Sequence, residues 1–329
     1  IFNSNAMAFH PRCCLVPLVA TITLNVSSSL AFSAIVPPSR QSKATSFFSS
    51  QQATTAANNK NDNVIFSEKE WEQRCTLAVS YRIAHLHDWG ENIFNHITLK
   101  VDGSEDEPDG PHFLLNDFGM GFDEVTASSL LKVNLDGEEV GGRAEGKIFK
   151  PGFVIHSAVH EGRPDVHAVW HGHALDTTAV CQTKIGLLPL SQEATYSLNK
   201  GVSYHPFEGS ANDTSEKPRL VKNLGPVNSV LMLEDHGPLV ASPTIHEAFA
   251  GMYFLTRACQ YQIRALSSVG GDLDKIHMPS PETLDQMIKR MDKFDEAPKE
   301  GVEHDTELLM FECAKREAER KFGAENIYV

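Results

Sequence analysis

Two helix-start signals divide the chain and limit the folds that it can adopt. Residues 67–70 and 244–247 are both capping boxes, in which a Ser or Thr side chain and a Glu three positions later satisfy the free amides of a first helical turn. Between the two boxes, short apolar runs of strand length alternate with segments of helical spacing. Short strands interleaved with helices predict an α/β sandwich with a mixed sheet covered by helices.

The periodicity of apolar residues places the individual elements. Strands are predicted over 93–101, 112–116, 130–135, 138–140, 166–170, 229–233 and 238–241. Helices are predicted over 67–90, 153–161, 176–182, 244–266, 283–294 and 306–322. Asp136 and Gly137 separate two strand-like runs, and this pair predicts a hairpin because it readily adopts left-handed turn conformations.

Residues 1–62 have the composition of a targeting segment followed by a disordered linker. After Met7, a short basic start leads into the apolar run LVPLVATITLNV, which is shorter than the about 20 residues of a spanning helix. Residues 33–59 are rich in Ser, Thr, Ala and Gln and contain no acidic residue. With Phe32 after Ala31, the segment resembles the two-part plastid presequences of algae with secondary plastids. We therefore expect a plastid location, with secretion or a cytoplasmic location as the alternatives.

The charge of the chain argues against two classes of partner. There are 43 acidic and 29 basic residues, which give a net charge of −14. A surface with this excess of negative charge repels phosphate backbones and anionic lipids. We therefore expect neither a nucleic-acid partner nor a membrane partner, and we expect a small-molecule substrate. The cysteines beyond residue 62 lie in apolar stretches and are predicted to be buried, reduced thiols. They are Cys75, Cys181, Cys259 and Cys313.

Two histidines at the end of a predicted strand carry the strongest chemical signal. His171 and His173 are two positions apart, so that both imidazoles lie on one face of the strand. Gly172 between them allows another backbone to approach closely. Imidazole suits zinc and other late first-row metals, and a catalytic site has about three protein ligands. His236 follows the apolar strand VLML and is the expected third ligand, while histidines that only form structural hydrogen bonds are the alternative interpretation.

The region from Trp71 to Gly271 resembles the class II aldolase/adducin family, and within it the adducin-like branch. The matching stretches are HITLKVDG, HFLLNDFGMGFDEVTASSLLKVNLDG, FVIHSAVHEGRPDVHAVWHGH, LPLSQEATYSLNKGVSYHPFEG and LMLEDHGPLVASPTIHEAFAGMYFLTRACQYQI. The resemblance implies a three-layer α/β/α sandwich over 63–271, with a largely antiparallel sheet and a helical C-terminal extension over 272–329. It also implies a homotetramer and one divalent ion per subunit on His171, His173 and His236. Zinc is the first expectation, with manganese, iron or cobalt as alternatives.

One position departs from the sugar-phosphate aldolases that the family includes. In those enzymes an acid/base glutamate lies eleven residues before the Arg of an RPD motif, and here that position is Gly152. The loops that hold phosphate in those enzymes are only partly matched, and Lys150 with Pro151 replaces a pair of serines. The residues that the resemblance assigns to substrate binding are Asn95, His96, Asn116, Gly119 and Lys150, and Lys150 is expected to hold a carboxylate.

These observations favour a divalent-metal lyase that cleaves a carbon–carbon bond in a small hydroxy- or oxo-substrate through a stabilised enediolate or carbanion. Of the two lyase types, a decarboxylase is slightly preferred over an aldolase, because decarboxylation needs no base to remove a hydroxyl proton. Glu193, Tyr196 and Tyr204 are the expected proton donors. The alternatives are a metal-free adducin-like module that binds actin or another scaffold, and a metal-dependent dehydratase.

Overall fold

Seven short strands of mainly branched apolar residues form one mixed sheet. The computed structural model describes residues 66–141, 146–209, 214–296 and 305–329, with side chains given up to residue 291 in the third of these ranges. The strands are β1 (Ile97–Lys100), β2 (Phe113–Leu115), β3 (Leu131–Val133), β4 (Ala168–His171), β5 (Val202–His205), β6 (Val230–Leu233) and β7 (Gly237–Ser242). Their order is β3-β2-β1-β4-β7-β6-β5. Only β5 and β6 pair in parallel among these strands, which confirms the predicted largely antiparallel sheet.

Several of the described helices begin at a Ser, Thr or Asp whose side chain caps the first turn. The described helices are α1 (Glu68–Leu86), α2 (Lys150–Gly162), α3 (Leu175–Cys181), α4 (Gln192–Asn199), α5 (Lys217–Leu224), α6 (Ile245–Ser268), α7 (Pro281–Glu296), α8 (Thr306–Phe322) and α9 (Ala324–Ile327). Both predicted capping boxes are present at helix starts. The Ser67 side chain accepts from the Glu70 amide at 3.1 Å, and the Thr244 side chain accepts from the Glu247 amide at 3.3 Å.

Side chains of the central strands alternate between two helical layers. Val230 and Met232 of β6 pack in the larger apolar cluster, which includes residues of α1, α3, α4, α6 and α8. Leu231 and Leu233 point to the opposite face and pack against α2 and α5. This period of two follows from the pleat of a strand and means that both faces of the sheet are buried. The predicted three-layer α/β/α architecture is therefore confirmed.

Several boundaries differ from the sequence prediction. Helix α1 ends at Leu86 rather than at Gly90, and Asp88 has a left-handed φ of 54° in the turn that follows. The predicted hairpin keeps its turn, with Gly137 at a φ of 79°, but beyond β3 only a single bridge joins Val133 to Glu139. Helices α4, α5 and α9 and strand β5 were not predicted, because most of their residues are exposed or half-buried and few apolar residues mark them. Short, partly exposed elements show little apolar periodicity.

The C-terminal helices pack on the same core as the preceding domain. Phe311 and Ala318 of α8, and Ile327 of α9, are buried in the larger cluster together with residues of α1 and α6. The described parts of residues 272–329 are largely helical. Cys75, Cys181, Cys259 and Cys313 are free thiols as predicted. Of the four, Cys181 and Cys259 are buried, whereas Cys75 is half-buried and Cys313 is exposed, so that the predicted burial is confirmed for two of them.

Two other predictions concern membranes and the start of the chain. In the described ranges, no helix combines the length and the apolar character needed to cross a bilayer. The predicted targeting segment over 1–62 lies outside the described residues.

Candidate metal centre

Three imidazoles converge at one end of the central strands. His171 is the last residue of β4, His173 follows two residues later, and His236 lies in the turn between β6 and β7. The Nε2 atoms of His171 and His173 are 3.0 Å apart, and the His236 ring centroid is 4.8 and 4.9 Å from those of the other two rings. One candidate ligand atom from each histidine lies within 4.8 Å of the others. Two ligands of a tetrahedral zinc ion, each at about 2.0–2.1 Å, are roughly 3.3 Å apart, so that the three histidines fit a divalent ion.

Two glycines allow the backbone to bring these histidines together. The His173 amide donates to the Trp89 carbonyl at 2.9 Å, and a Cβ on Gly172 would lie 2.5 Å from that carbonyl oxygen. A Cβ on Gly237 would lie 2.9 Å from the Gly172 carbonyl oxygen. Neither position has room for a side chain. The local HGH and HG sequences therefore follow from close packing of the segments that carry the imidazoles.

Hydrogen bonds at Nδ1 orient two of the three rings. His171 Nδ1 lies 2.9 Å from the Pro238 carbonyl oxygen, and His173 Nδ1 lies 2.7 Å from Glu91 Oε2. A carbonyl or carboxylate oxygen can only accept, so each Nδ1 carries the hydrogen and each Nε2 keeps its lone pair. A partner of this kind on the distal nitrogen is typical of histidines that bind metals, because it fixes the tautomer and the orientation of the ring.

Burial also favours the uncharged form of two of these histidines, His171 and His236. Burial lowers the pKa of His171 well below its usual value, and it lowers the pKa of His236 to about 4. The neighbouring imidazoles act in the same direction. Near neutral pH these two side chains are therefore unprotonated, and a metal ion does not have to displace a proton from them.

A cavity of about 280 Å³ opens beside the three histidines. Its walls are largely apolar. Its polar lining consists of the three histidines, His96, Glu234 and a second polar cluster. The apolar lining residues include Phe94, Phe149, Ile155, Phe207 and Leu233. A small concave site with apolar walls and a few polar groups is typical of a pocket for a small-molecule ligand.

The second polar cluster consists of His205, Glu208 and Glu216. His205 Nε2 lies 3.2 Å from Glu216 Oε1 and 3.8 Å from Glu208 Oε1. Asn223 of α5 contacts the other ring nitrogen of His205 at 2.8 Å. Sequence reasoning did not find the two glutamates because it did not predict β5 and α5. Alternation along β5 would have indicated that His205, rather than Tyr204, faces the cavity.

His96 occupies the space beside the position of the missing glutamate. A Cβ on Gly152 would lie 2.6 Å from His96 Nε2 and 2.9 Å from His96 Nδ1, so that no side chain fits there. Burial lowers the pKa of His96 to about 4. Its Nε2 is buried and has no hydrogen-bond partner among the described residues. His96 also lines the cavity.

The other residues assigned to substrate binding lie outside this cavity. Asn95 and Asn116 line a separate hollow of about 10 Å³, and their side-chain oxygens accept from the Glu91 amide and the Tyr81 hydroxyl. Gly119 and Lys150 are exposed and line neither space. This corrects the expectation that Lys150 holds a carboxylate of the substrate, because Lys150 is the first residue of α2 and Gly152, not Lys150, lines the cavity.

The three expected proton donors do not line the cavity. Tyr196 of α4 packs on Phe254, and its hydroxyl lies 2.9 Å from Glu307 Oε1. Tyr204 is adjacent to His205 on β5, and its hydroxyl accepts from the Leu187 amide at 2.9 Å. Glu193 lies in the first turn of α4 and does not line the cavity. These positions correct the expectation that Glu193, Tyr196 or Tyr204 faces the three histidines.

Comparisons with known proteins agree with this architecture. The family described as "Class II Aldolase and Adducin N-terminal domain" matches residues 75–263. A Caulobacter vibrioides protein, whose name assigns it provisionally to the class 2 aldolases, is 44% identical over 206 residues that cover 63% of this chain and 77% of that protein. Alpha-adducin of Rattus norvegicus is 41% identical over 212 residues, which are 64% of this chain but only 28% of that protein.

A solved structure extends the likeness to three dimensions. The aldolase II superfamily protein from Pseudomonas syringae has a TM-score of 0.69 and 36% sequence identity to this chain. The match covers 79% of this chain and 97% of that one. The shared region therefore includes both helical layers as well as the sheet.

Proposed function

The chain belongs to the class II aldolase and adducin family, and from that premise we propose that it is a divalent-metal lyase that cleaves a carbon–carbon bond in a small hydroxy- or oxo-substrate. The observation that supports this proposal most is the convergence of three imidazoles, with the Nε2 atoms of His171 and His173 only 3.0 Å apart. A divalent ion held there would act as a Lewis acid towards negative charge on substrate oxygens. Zinc is the ion that we propose first, because the ligands are three imidazoles.

The side chains around the histidines would bind the substrate and exclude water. Phe94, Phe149 and Leu233 form apolar walls, which lower the local polarity and strengthen electrostatic interactions inside the cavity. Glu91 holds His173 in the orientation needed for binding. His96 and His205 are the cavity residues that can accept or donate a proton, and they replace Glu193, Tyr196 and Tyr204 as candidates.

Within the lyases, we propose decarboxylation ahead of aldol cleavage. Aldol cleavage requires a base that removes the substrate hydroxyl proton, and the family position for that base is Gly152. The His96 ring lies against this glycine, so that residue 152 has no room for the side chain of a glutamate. Loss of carbon dioxide needs stabilisation of the resulting negative charge, but it needs no such base.

The second candidate is a metal-free interaction module of the adducin type. The 41% identity to alpha-adducin supports it, although the match covers only 28% of that protein. The two candidates differ in one measurable property. An enzyme of the proposed kind retains close to one divalent ion per chain after purification, whereas a metal-free module retains none.

The proposed activity is tested with metal-loaded protein and a panel of small hydroxy- and oxo-acids. Release of carbon dioxide identifies a decarboxylase, and release of an aldehyde identifies an aldolase. His171→Ala is the variant that must lose turnover, and His167→Ala on the same β-segment is its matched control. Turnover that survives in the His171→Ala variant at the wild-type rate would exclude the proposed chemistry.

We further propose a homotetramer and a plastid location, following the family resemblance and the composition of residues 1–62. Light scattering of the purified protein measures the first. Fusion of residues 1–62 to a fluorescent protein, expressed in an alga with secondary plastids, tests the second.

A further inference from the structure

The charge of the cavity bears on the kind of substrate that it accepts. Among the lining residues that the structure describes, there is no lysine and no arginine. Three glutamates contribute to the lining, namely Glu208, Glu216 and Glu234. Sites that bind phosphate use arginine, lysine or free backbone amides to balance its negative charge. The described lining shows the opposite distribution of charged side chains.

Glu216 is the glutamate that is best placed to act on a ligand. It is only 8% exposed, and its Oε1 lies 3.2 Å from Nε2 of the buried His205. The partner is therefore an imidazole rather than a permanent cation. A buried carboxylate accepts hydrogen bonds and attracts positive charge, and it repels a phosphate dianion more strongly than an exposed carboxylate would.

Glu208 has a different environment. Arg219 donates to both of its carboxylate oxygens, with Nε at 2.8 and 3.0 Å. The Arg219 side chain is half exposed, and the residue is absent from the cavity lining. Arg219 therefore balances the charge of Glu208 from outside the cavity. Glu234 is exposed to solvent, so that Glu216 is the buried carboxylate among the three lining glutamates.

The asparagine side chains expected to hold a phosphate do not line the cavity. The Asn95 side-chain oxygen accepts from the Glu91 amide, and the Asn116 side-chain oxygen accepts from the Tyr81 hydroxyl. Both side chains line the separate 10 Å³ hollow, which is too small for a phosphate group of several heavy atoms. Lys150 is exposed and lines neither space.

Resting on the proposed function, we propose that the cavity selects a substrate that chelates the metal through one end and presents a hydrogen-bond donor, either a hydroxyl or an ammonium group, to Glu216 at the other. The same arrangement excludes sugar phosphates. The described residues thus retain the family's metal ligands while the opposite end of the cavity selects against phosphate.

A series of chelating probes tests this inference without requiring a known reaction. Zinc-loaded protein is titrated calorimetrically with alkyl hydroxamates of two to four carbons, which bind metal through the hydroxamate. Each chain length is used with a hydroxyl, ammonium, phosphate or methyl terminus. We expect the best hydroxyl or ammonium probe to bind at least tenfold more tightly than its phosphate counterpart. The comparison between those two donors identifies the terminus that the cavity prefers.

The Glu216→Gln variant isolates the carboxylate, and Glu161→Gln on the exposed side of α2 is its matched control. We expect Glu216→Gln to reduce the preference against phosphate at least fivefold, with unchanged zinc content, and Glu161→Gln to leave it unchanged. Phosphate probes that bind wild-type protein as tightly as the donor probes would overturn the inference while leaving the lyase proposal intact. An unchanged preference in Glu216→Gln would overturn the role of Glu216. If none of the probes binds, the methyl-terminated one included, the proposed metal function fails and the inference fails with it.

Discussion

The imidazole of His96 lies against Gly152, so that a side chain on residue 152 would have to pass through the ring. In the sugar-phosphate aldolases that the family resemblance includes, this position carries the acid/base glutamate. In this chain, the histidine that immediately precedes β1 fills the space next to a glycine of α2. The two residues are expected to be energetically coupled, since neighbours in contact rarely behave additively.

Restoring the glutamate should destabilise the protein rather than restore an aldolase. Gly152→Glu forces His96 out of its buried position, and we expect a loss of about 1–3 kcal/mol in the free energy of unfolding, as for other overpacked sites. Removing the ring in the double variant Gly152→Glu/His96→Ala should recover at least half of that loss. Urea denaturation of the wild type, both single variants and the double variant measures the coupling. Additive effects would show that the two side chains do not compete for the same space.

Glu91 should influence metal binding although it contacts no ion in this arrangement. Its Oε2 accepts from His173 Nδ1 at 2.7 Å and so holds the ring with Nε2 towards the other histidines. Loss of such an outer partner typically costs about 10–100-fold in metal affinity. We expect Glu91→Ala to weaken zinc binding by about tenfold in a competition assay with a chromophoric chelator. Asp88→Asn, at an exposed position three residues earlier, is the control and should bind as the wild type does, because asparagine tolerates the left-handed φ of 54° at this position. Equal affinity in Glu91→Ala would contradict the assigned orientation of His173.

His160 should make the metal-free protein less stable in mild acid. Burial lowers its pKa to about 3, while the unfolded chain has an ordinary histidine pKa of about 6.5. The unfolded state therefore takes up a proton as the pH falls through about 6.5, whereas the folded state does not until about pH 3. The stabilisation is fully present above pH 6.5 and is lost between these two values. From pH 7 to pH 5, His160 alone should lower the free energy of unfolding by about 2 kcal/mol.

The His160→Gln variant separates this contribution from those of the other buried histidines. Glutamine can retain a contact with Thr98, whose hydroxyl lies 2.8 Å from His160 Nε2, but it does not titrate. We expect the loss of stability between pH 7 and pH 5 to be about 2 kcal/mol smaller in this variant. Denaturant titrations at several pH values measure it. An identical pH dependence in both proteins would mean that the folded state protonates His160 readily.

Tyr196 should contribute to stability and not to chemistry. Its hydroxyl contacts Glu307 of α8 at 2.9 Å, in the helical layer opposite the three histidines. Tyr196→Phe removes this hydrogen bond, and we expect a loss of about 1 kcal/mol in stability with zinc affinity unchanged. Thermal unfolding and chelator competition check the two parts. A large loss of turnover at unchanged stability would show that Tyr196 takes part in catalysis.

The three histidines of the candidate metal centre could be predicted from the sequence because strand periodicity and glycine chemistry are local. His171 and His173 share a face by alternation, and the close approach of Trp89 explains why Gly172 separates them. His236 could be proposed because it follows a strongly apolar strand. The architecture followed from strands and helices long enough to show their period, such as α6.

The remaining site residues could not be predicted because they depend on which layer an element joins. β5 has only four residues. Unless this strand is predicted, the sequence does not indicate whether Tyr204 or His205 faces the cavity. Glu216 precedes an eight-residue helix that was not predicted, and only the folded chain brings it to His205. The contact between His96 and Gly152 likewise joins residues that are 56 positions apart in the chain, and no local sequence pattern reveals it.

Metal content is the most direct test of the central claim that His171, His173 and His236 bind one divalent ion. The wild-type protein, purified without chelators, should contain close to one equivalent of zinc or another divalent metal per chain by elemental analysis. Each of the three His→Ala variants should retain less than a tenth of it, while His167→Ala retains it fully. A folded wild-type protein that takes up no metal even when zinc is supplied, or a His236→Ala variant with wild-type metal content, would contradict the account.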